Sequence, residues 1–393
     1  MIVFNKIKES LFFWSLTLVV LTLPFPKYDI NSKAIIFALI CWVFYNSFSE
    51  KWQNLKNRLP LFFILSSIFW VALLGMTYTQ NMDEGIKNLQ KSLPFLVFPL
   101  IIFSIKINKY VVTFLLKYFS YSVVIASLLA IAKALYLKAN NLGSYFHFSK
   151  LEPLFDKHNT YFALFSLIAI VYFLFNISKR SWWYILATIY LSGILYLLSV
   201  RISIVGFVLV LCLLLLSKRK TIPRHYFYML LITVLVPILF YFTPSFQDKF
   251  NPHTPEGVAI SDVGSRKIHW QAVVNTIGQD NILTGAGTGD GHNKLFDTYR
   301  DFDFETGYIY RYNAHNQYLE IVLFYGIIGL LLLVFQYFTL IKINLNKNNF
   351  SALAIIFLFL TFMITESILQ RHDGIVVFAF FMTLFALKEN QQN

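Results

Sequence analysis

Long apolar runs separated by short polar or charged stretches organise this chain. A bilayer core requires about 20 apolar residues per helix, and about 17 to 25 are usual. When the runs are read between charged, Gly, Pro and Asn breaks, they predict twelve membrane-spanning helices. These are residues 11–25, 34–49, 60–78, 92–105, 110–137, 159–177, 182–199, 202–217, 226–243, 315–341, 350–367 and 373–388. The pattern therefore predicts an all-α polytopic membrane protein.

The composition agrees with this fold class. Hydrophobic residues make up 57% of the chain and charged residues only 13%, whereas soluble proteins are about 25% charged. The two cysteines, Cys41 and Cys212, both lie in apolar runs. They predict neither a disulfide framework nor a metal cluster.

The net charge of +13 would suggest nucleic-acid binding in a soluble chain. If both termini lie in the cytoplasm, the predicted inner segments carry this whole basic excess. Positive residues favour the cytoplasmic side of a membrane. The charge is therefore explained by topology, and nucleic-acid binding is not expected.

One apolar run, Trp182–Leu216, is interrupted by Arg201. Basic residues flank it on both sides, at 179–180 and 218–224, which places both of its ends in the cytoplasm. The run must then cross the membrane twice. It predicts two helices joined by a tight outward turn near Ser199–Ser203.

The predicted spans divide the chain into three parts. Residues 1–243 hold helices 1–9, residues 244–314 form a large outer loop, and residues 315–393 hold helices 10–12 and a short cytoplasmic tail. Loops longer than about 15 residues are usually functional or disordered. We expect this loop to form a small folded cap over the membrane helices.

Two arginines are candidates for anion binding. Arg201 lies in an apolar run, where a charge usually faces a partner or a cavity. It could snorkel or pair with a carboxylate such as Glu366, or its planar fork of donors could bind phosphate oxygens. Arg266 begins a short amphipathic stretch in the outer loop and could be solvated. Beside Arg201, it would complete a two-arginine clamp for a diphosphate.

Two histidines are candidates for contact with a substrate. His315 lies where the outer loop re-enters the membrane, where it could act as a general base or as a structural residue at the interface. His158 opens the sixth predicted helix, where it could contact a substrate or cap the helix.

Two further motifs in the outer loop resemble known binding motifs. The run Gly285–Gly291 is rich in glycine, as a dinucleotide fingerprint is, but it lacks the strand–turn–helix setting of that motif. We interpret it as flexible backbone lining the site, with Gly287 as a candidate substrate contact. The acidic run Asp301–Glu305 resembles a divalent-metal motif, but we expect a solvated loop face there and no metal.

The order of these features resembles the O-antigen ligase and O-antigen polymerase superfamily. The shared order is an Arg in an outer turn, a large outer loop with Gly-Ser-Arg and Trp, a Gly-rich segment and then His-Asn. The most specific match is His315-Asn316, nine further residues, and Gly326-Ile327-Ile328-Gly329. The resemblance covers most of the chain from about His158 onward.

The resemblance implies a GT-C-like fold with the large loop on the periplasmic side between helices 9 and 10. It implies that Arg201 and Arg266 bind the diphosphate of a lipid-linked donor, and that His315 activates the acceptor hydroxyl. Asn316, like Gly287 and His158, is a candidate substrate contact. The chemistry implied requires no metal and no cofactor.

By this resemblance, the favoured function is that of an O-antigen ligase in lipopolysaccharide biosynthesis. Such an enzyme transfers polysaccharide from undecaprenyl diphosphate to a lipid A core sugar in the bacterial inner membrane, surrounded by membrane lipids. A polymerase that extends one lipid-linked glycan with another remains an alternative. A lipid-linked glycan transporter is a third.

Overall fold

The computed structural model describes residues 2–26, 28–107, 109–143, 145, 148–177, 182–217 and 263–387. At residues 2–9, 28, 109, 148–150 and 263–267 it describes the backbone alone. The predicted ninth helix, the first part of the outer loop and the cytoplasmic tail lie outside these ranges. Every regular element within them is helical.

Eighteen α-helices and one short 3-10 helix make up the described part of the chain. They are α1 (Ile2–Thr22), α2 (Tyr28–Phe44), α3 (Phe48–Lys56), α4 (Leu59–Leu65), α5 (Ser67–Gly75), α6 (Met82–Ser92), α7 (Pro94–Phe103), α8 (Lys109–Ala139), α9 (Phe148–Phe155), α10 (Asn159–Phe175), α11 (Trp182–Leu198), α12 (Arg201–Ser217), α13 (Val263–Gln279), α14 (Gly291–Asp301), α15 (Glu305–Ile309), α16 (Gln317–Asn346), α17 (Phe350–Phe362), the 3-10 helix Ile368–Gln370 and α18 (His372–Ala386).

Several of these helices are apolar, as expected for a polytopic membrane protein. Within the described residues, three stretches are long and apolar enough to cross a bilayer, namely Met82–Phe103, Tyr110–Ala139 and Gln317–Asn346. A fourth crossing is possible if α2 and α3, which meet at 106°, form one bent span. Six other apolar helices have 10–17 residues. The predicted number of twelve spans is therefore not confirmed.

At least one predicted span is divided into two shorter helices in the structure. The predicted span 60–78 forms α4 and α5, and the break falls at Ser66, whose backbone has a φ of −92° and a ψ of 3°. Apolar composition alone does not reveal such a break.

The helix α10 forms the centre of the bundle. Its side chains from Tyr161 to Leu174 are all buried, and it packs against α8, α11, α12 and α17. A helix that is apolar all round is expected to be surrounded by other elements. The other four helices therefore pack around α10.

The two helices predicted within residues 182–216 are confirmed as α11 and α12. The turn between them contains Ser199, which has a φ of 50°. The hydroxyls of Tyr172 and Tyr184 are 3.1 Å apart, and this contact sets the register between α10 and α11. We count the same number of residues back from Tyr172 along α10 and forward from Tyr184 along the antiparallel α11. This count brings Leu198, the last residue of α11, level with His158. Arg201 follows three residues after that end.

The helix α16 is broken at Gly326, whose φ is 63° and ψ −163°. The segment 282–287 crosses at this break. The amides of Ala286 and Gly287 donate to the carbonyls of Leu323 and Phe324, and the amides of residues 327 and 328 donate to the carbonyls of 282 and 283. Backbone groups away from water need such internal partners. The Gly-rich run is therefore packed backbone rather than the flexible backbone we expected.

The same run is also held on its other side. Thr288 donates its hydroxyl to the carbonyl of Ala72 at 2.6 Å, and the carboxylate of Asp290 accepts the amides of Gln80 and Asn81 at 2.7 and 2.8 Å. The run thus joins the α5–α6 connection to α16. It thereby supports α16, which begins two residues after His315.

Candidate functional site

The candidate site begins with His315, which precedes α16. Its backbone φ is 42°, in the left-handed region that non-glycine residues rarely adopt. The next residue, Asn316, caps α16 by accepting the amides of Tyr318 and Leu319 at 2.9 and 3.1 Å. The His-Asn pair therefore consists of a helix cap and, before it, a residue held in an uncommon conformation.

The imidazole of His315 faces a carboxylate. Its Nδ1 lies 3.5 Å from Oε2 of Glu366, and 30% of the His315 side chain is exposed against 7% for Glu366. A proton on Nδ1 that faces the carboxylate leaves Nε2 with a free lone pair. The arrangement suits a general base, because the carboxylate orients the ring and stabilises it once it has gained a proton.

Glu366 lies in the connection between α17 and the 3-10 helix. Burial by itself would raise the pKa of this carboxyl group. The hydrogen bond from His315 and the charges of His315, His158 and Arg371 outweigh the burial and bring the pKa below its usual value. Glu366 is therefore a carboxylate at neutral pH and can compensate a charged imidazole.

A second carboxylate, Glu320 on α16, fixes the residues on either side of this pair. It is fully buried. Its Oε2 accepts the amide of Ala314 at 2.7 Å and the hydroxyl of Ser367 at 3.2 Å, and its Oε1 is 2.6 Å from Nε2 of His292. Ala314 precedes His315 and Ser367 follows Glu366. Glu320 thus sets the distance between the two site residues.

His158 lies at the N-cap of α10. Its Nδ1 accepts the amide of Thr160 at 3.4 Å, and its ring meets the ring of Tyr161 edge-on at 6.0 Å. Burial lowers the pKa of His158, while the nearby charge of Glu366 acts in the opposite direction. His158 therefore caps a helix, as one of the two interpretations expected, and it lies beside the His315–Glu366 pair.

We expect His158→Asn to make the protein less sensitive to acid. A lowered pKa means that the neutral imidazole stabilises the fold fully above about pH 6.5, and that this stability is lost as the pH falls through the folded pKa. Asparagine keeps the cap without titrating. Thermal unfolding in detergent at pH 7.5 and pH 5 measures the effect. Equal losses of stability in the variant and the wild type would contradict it.

The remaining predicted site residues have the following positions. Arg201 opens α12 and is half-buried, and by the helix register above it lies at the same end of the bundle as His158. Arg266 belongs to the first turn of α13, where the backbone alone is described. Gly287 is buried and donates its amide to Phe324 at 3.0 Å. The roles of all three in binding substrate stay predictions.

The acidic run of the outer loop lies at the end of α14 and the start of α15. Asp301, Asp303 and Glu305 are exposed. Across the part of the chain that the structure covers, no group of three or more His, Cys, Asp or Glu side chains is placed to hold a metal ion.

Sequence reasoning found His315 but not the roles of the two glutamates. The sequence offers Glu366 as an ion-pair partner of Arg201, and the structure places it against His315. Glu320 follows the His-Asn pair by four residues, and an acid within a predicted span is itself a sign of a functional role. Arg371 at the start of α18 was also missed.

The fold and the site together define an all-helical membrane protein with a histidine–carboxylate pair and basic residues at one end of its bundle. Residues 186–334 match the family model Wzy_C, described as O-Antigen ligase. No curated protein matches the chain. The match spans less than half of the chain, from α11 into α16, and it includes Arg201, Arg266 and His315.

The match confirms the resemblance noted in the sequence and is consistent with a member of the O-antigen ligase/polymerase superfamily. Members of the family are glycosyltransferase-like enzymes, and the family implies lipid-linked glycan substrates. Glu366 and Arg371 lie beyond the matched residues. Their place at the site is known from the structure alone.

Proposed function

We propose that this protein is an O-antigen ligase that transfers polysaccharide from undecaprenyl diphosphate to a sugar hydroxyl of the lipid A core. The observation that carries the proposal is the contact between His315 and the buried carboxylate of Glu366. It supplies an oriented base within a chain whose central segment matches a family of glycosyltransferase-like enzymes.

In the proposed reaction, Nε2 of His315 takes the proton of the acceptor hydroxyl while the oxygen of that hydroxyl attacks the anomeric carbon of the donor glycan. The bond from that carbon to the diphosphate oxygen breaks, and the electron pair leaves with the diphosphate. Glu366 stabilises the imidazolium until its proton passes to solvent. A positioned general base contributes about a hundredfold to ten-thousandfold to such a step.

The leaving diphosphate gains negative charge as the bond breaks, and fixed cationic donors lower the barrier by stabilising it. Arg201 and Arg266 have this role in the proposal. Two guanidinium groups would stabilise the charge on the leaving diphosphate, as a divalent cation does in other enzymes. We therefore expect neither metal nor cofactor to be required. The proposal places the protein in the bacterial inner membrane, in a GT-C-like fold with its site on the periplasmic side.

A polymerase is the second candidate, because the matched family includes both ligases and polymerases. The two enzymes break the same bond in the donor. They differ only in the acceptor, which is a lipid A core for a ligase and a second lipid-linked glycan for a polymerase.

The test is reconstitution of the purified protein with polyprenyl-diphosphate glycan and lipid A core, with and without a chelator. Glycan on lipid A, formed equally with the chelator, is the result expected. Lengthened polyprenyl-linked glycan would identify a polymerase instead. Activity lost with the chelator and restored by a divalent cation would refute metal independence, and the absence of any new bond would favour a transporter.

In the same assay, Arg201→Ala and Arg266→Ala should each lower the rate about a hundredfold to a thousandfold, as expected when one donor to a developing anion is lost. The matched control is Arg300→Ala, because Arg300 is exposed on α14 and pairs only at 3.3 Å with the equally exposed Asp297. The clamp would be refuted if both variants retained the rate of the Arg300 control.

A further inference from the structure

Arg371 is a basic residue of the site region that has no assigned role. It directly precedes α18, and its side chain is exposed. Its Cζ lies 6.0 Å from the centre of the Tyr161 ring. Tyr161 is itself buried, and its hydroxyl donates to the carbonyl of Ser367 at 3.1 Å. A cation over an aromatic face is held by the ring quadrupole, so the guanidinium rests on a fixed platform.

Arg371 lies close to the reactive pair. The ring of Tyr161 contacts both Arg371 and His158. The charge of Arg371 is one of those that lower the pKa of Glu366, and Glu366 contacts His315. The guanidinium, His158 and the His315–Glu366 pair therefore surround one region at the end of the bundle.

The acids near Arg371 already have other cationic partners. Glu366 faces His315, and Asp373 pairs with Lys157 at 2.6 Å in a contact that is almost entirely buried. Within the residues that the structure covers, no carboxylate approaches Arg371 to within 4.0 Å. The positive charge of this side chain is thus available to an anion from outside the protein.

We propose that Arg371 binds a phosphate-type anion of the substrate beside His315, an inference that rests on the proposed function. The planar guanidinium offers paired N–H donors that match two phosphate oxygens. The positive end of the α18 dipole lies at the same place and acts in the same sense. Two groups have the required chemistry, namely the diphosphate of the lipid carrier and a phosphate on the acceptor saccharide.

The first measurement is the binding of inorganic pyrophosphate to the purified full chain by calorimetry. We expect Arg371→Ala to weaken binding about tenfold to a hundredfold, since charge-assisted hydrogen bonds are lost, and Arg371→Lys to weaken it less. Arg300→Ala is the control and should bind like the wild type. The proposal is wrong if the wild type binds no pyrophosphate, or if Arg371→Ala binds it as the wild type does while remaining folded by thermal unfolding.

This measurement requires no glycosyl transfer, so it separates the inference from the proposed function. One outcome is pyrophosphate binding that depends on Arg371 in a protein that forms no new glycosidic bond. That result would support the anion site and contradict the ligase proposal. Transfer of glycan that is unaffected by Arg371→Ala, with unaffected pyrophosphate binding, would reject the anion site and retain the ligase.

The second measurement distinguishes the two sources of the anion. Donor and acceptor are varied separately in the reconstituted reaction, using lipid A core with and without its saccharide phosphates. A higher apparent KM for the donor alone in Arg371→Ala would identify the carrier diphosphate. A higher KM for the phosphorylated acceptor alone would identify the acceptor phosphate. If neither KM changed, Arg371 would not contact the substrate.

Discussion

His315→Ala is expected to lower kcat about a hundredfold to ten-thousandfold, because the variant has no group at this position to accept the proton of the acceptor hydroxyl. The apparent KM for the donor should change little, because the proposed contacts with the diphosphate are made by other side chains. The measurement is the steady-state rate in the reconstituted assay, normalised to the amount of folded protein. A variant that retains a tenth of the wild-type rate would exclude His315 as the base.

The companion variant is Glu366→Gln, for which we expect a loss of kcat of about a hundredfold, the lower end of what a positioned general base contributes. Glutamine keeps an oxygen near Nδ1 of His315 but removes the negative charge that stabilises the imidazolium, so the effect should fall on kcat rather than on KM. Glu305→Gln removes an exposed acid of α15 and is the matched control. Equal rates for the two glutamine variants would show that the 3.5 Å contact has no catalytic role.

The second large effect is expected for Gly326→Val. The backbone of Gly326 lies in a region of φ and ψ that is essentially restricted to glycine. A Cβ at this position would lie 2.3 Å from the carbonyl carbon and oxygen of Leu283, which are backbone atoms and cannot rotate away. The crossing of the Gly-rich run over α16 would have to open, at a cost of about 4 kcal/mol or more.

Thermal unfolding in detergent and abundance in the membrane measure this loss. Gly278→Ala is the matched control, because a Cβ there would meet no atom within 4 Å. Alanine in a helix is more stable than glycine by about 1 kcal/mol, so this variant should be at least as stable as the wild type. Gly326→Val with wild-type stability would mean that the crossing at α16 does not exist as described.

Local patterns in the sequence predicted the features that depend on neighbouring residues. The fold class follows from apolar runs, and the α11–α12 pair follows from basic residues on both sides of a run that is interrupted at Arg201. The motif from His315 to Gly329 was recognised as a unit, and the structure gives its physical basis. Asn316 caps the helix and Gly326 marks the break where another segment crosses it.

The number of spans could not be predicted in the same way. Apolar composition determines whether a stretch prefers lipid or a protein core, but it does not locate the point where a helix bends. The break at Gly326 depends on close backbone contacts with residues 282–287, which are distant along the chain. For the same reason, the Gly-rich run of the outer loop was expected to be flexible and is in fact packed between α5–α6 and α16.

The sequence by itself determined an all-helical membrane protein, its resemblance to O-antigen ligases, and the histidine at the start of α16. Only the tertiary structure decided which charged groups meet that histidine. Glu366 lies far along the chain from His315. The helix α16 leads away from His315 and α17 returns towards it, which brings Nδ1 of His315 within 3.5 Å of Oε2 of Glu366. The same return of the chain brings Arg371 over Tyr161. Such contacts depend on which helix ends coincide in space, and that is set by packing between helices rather than by spacing along the chain.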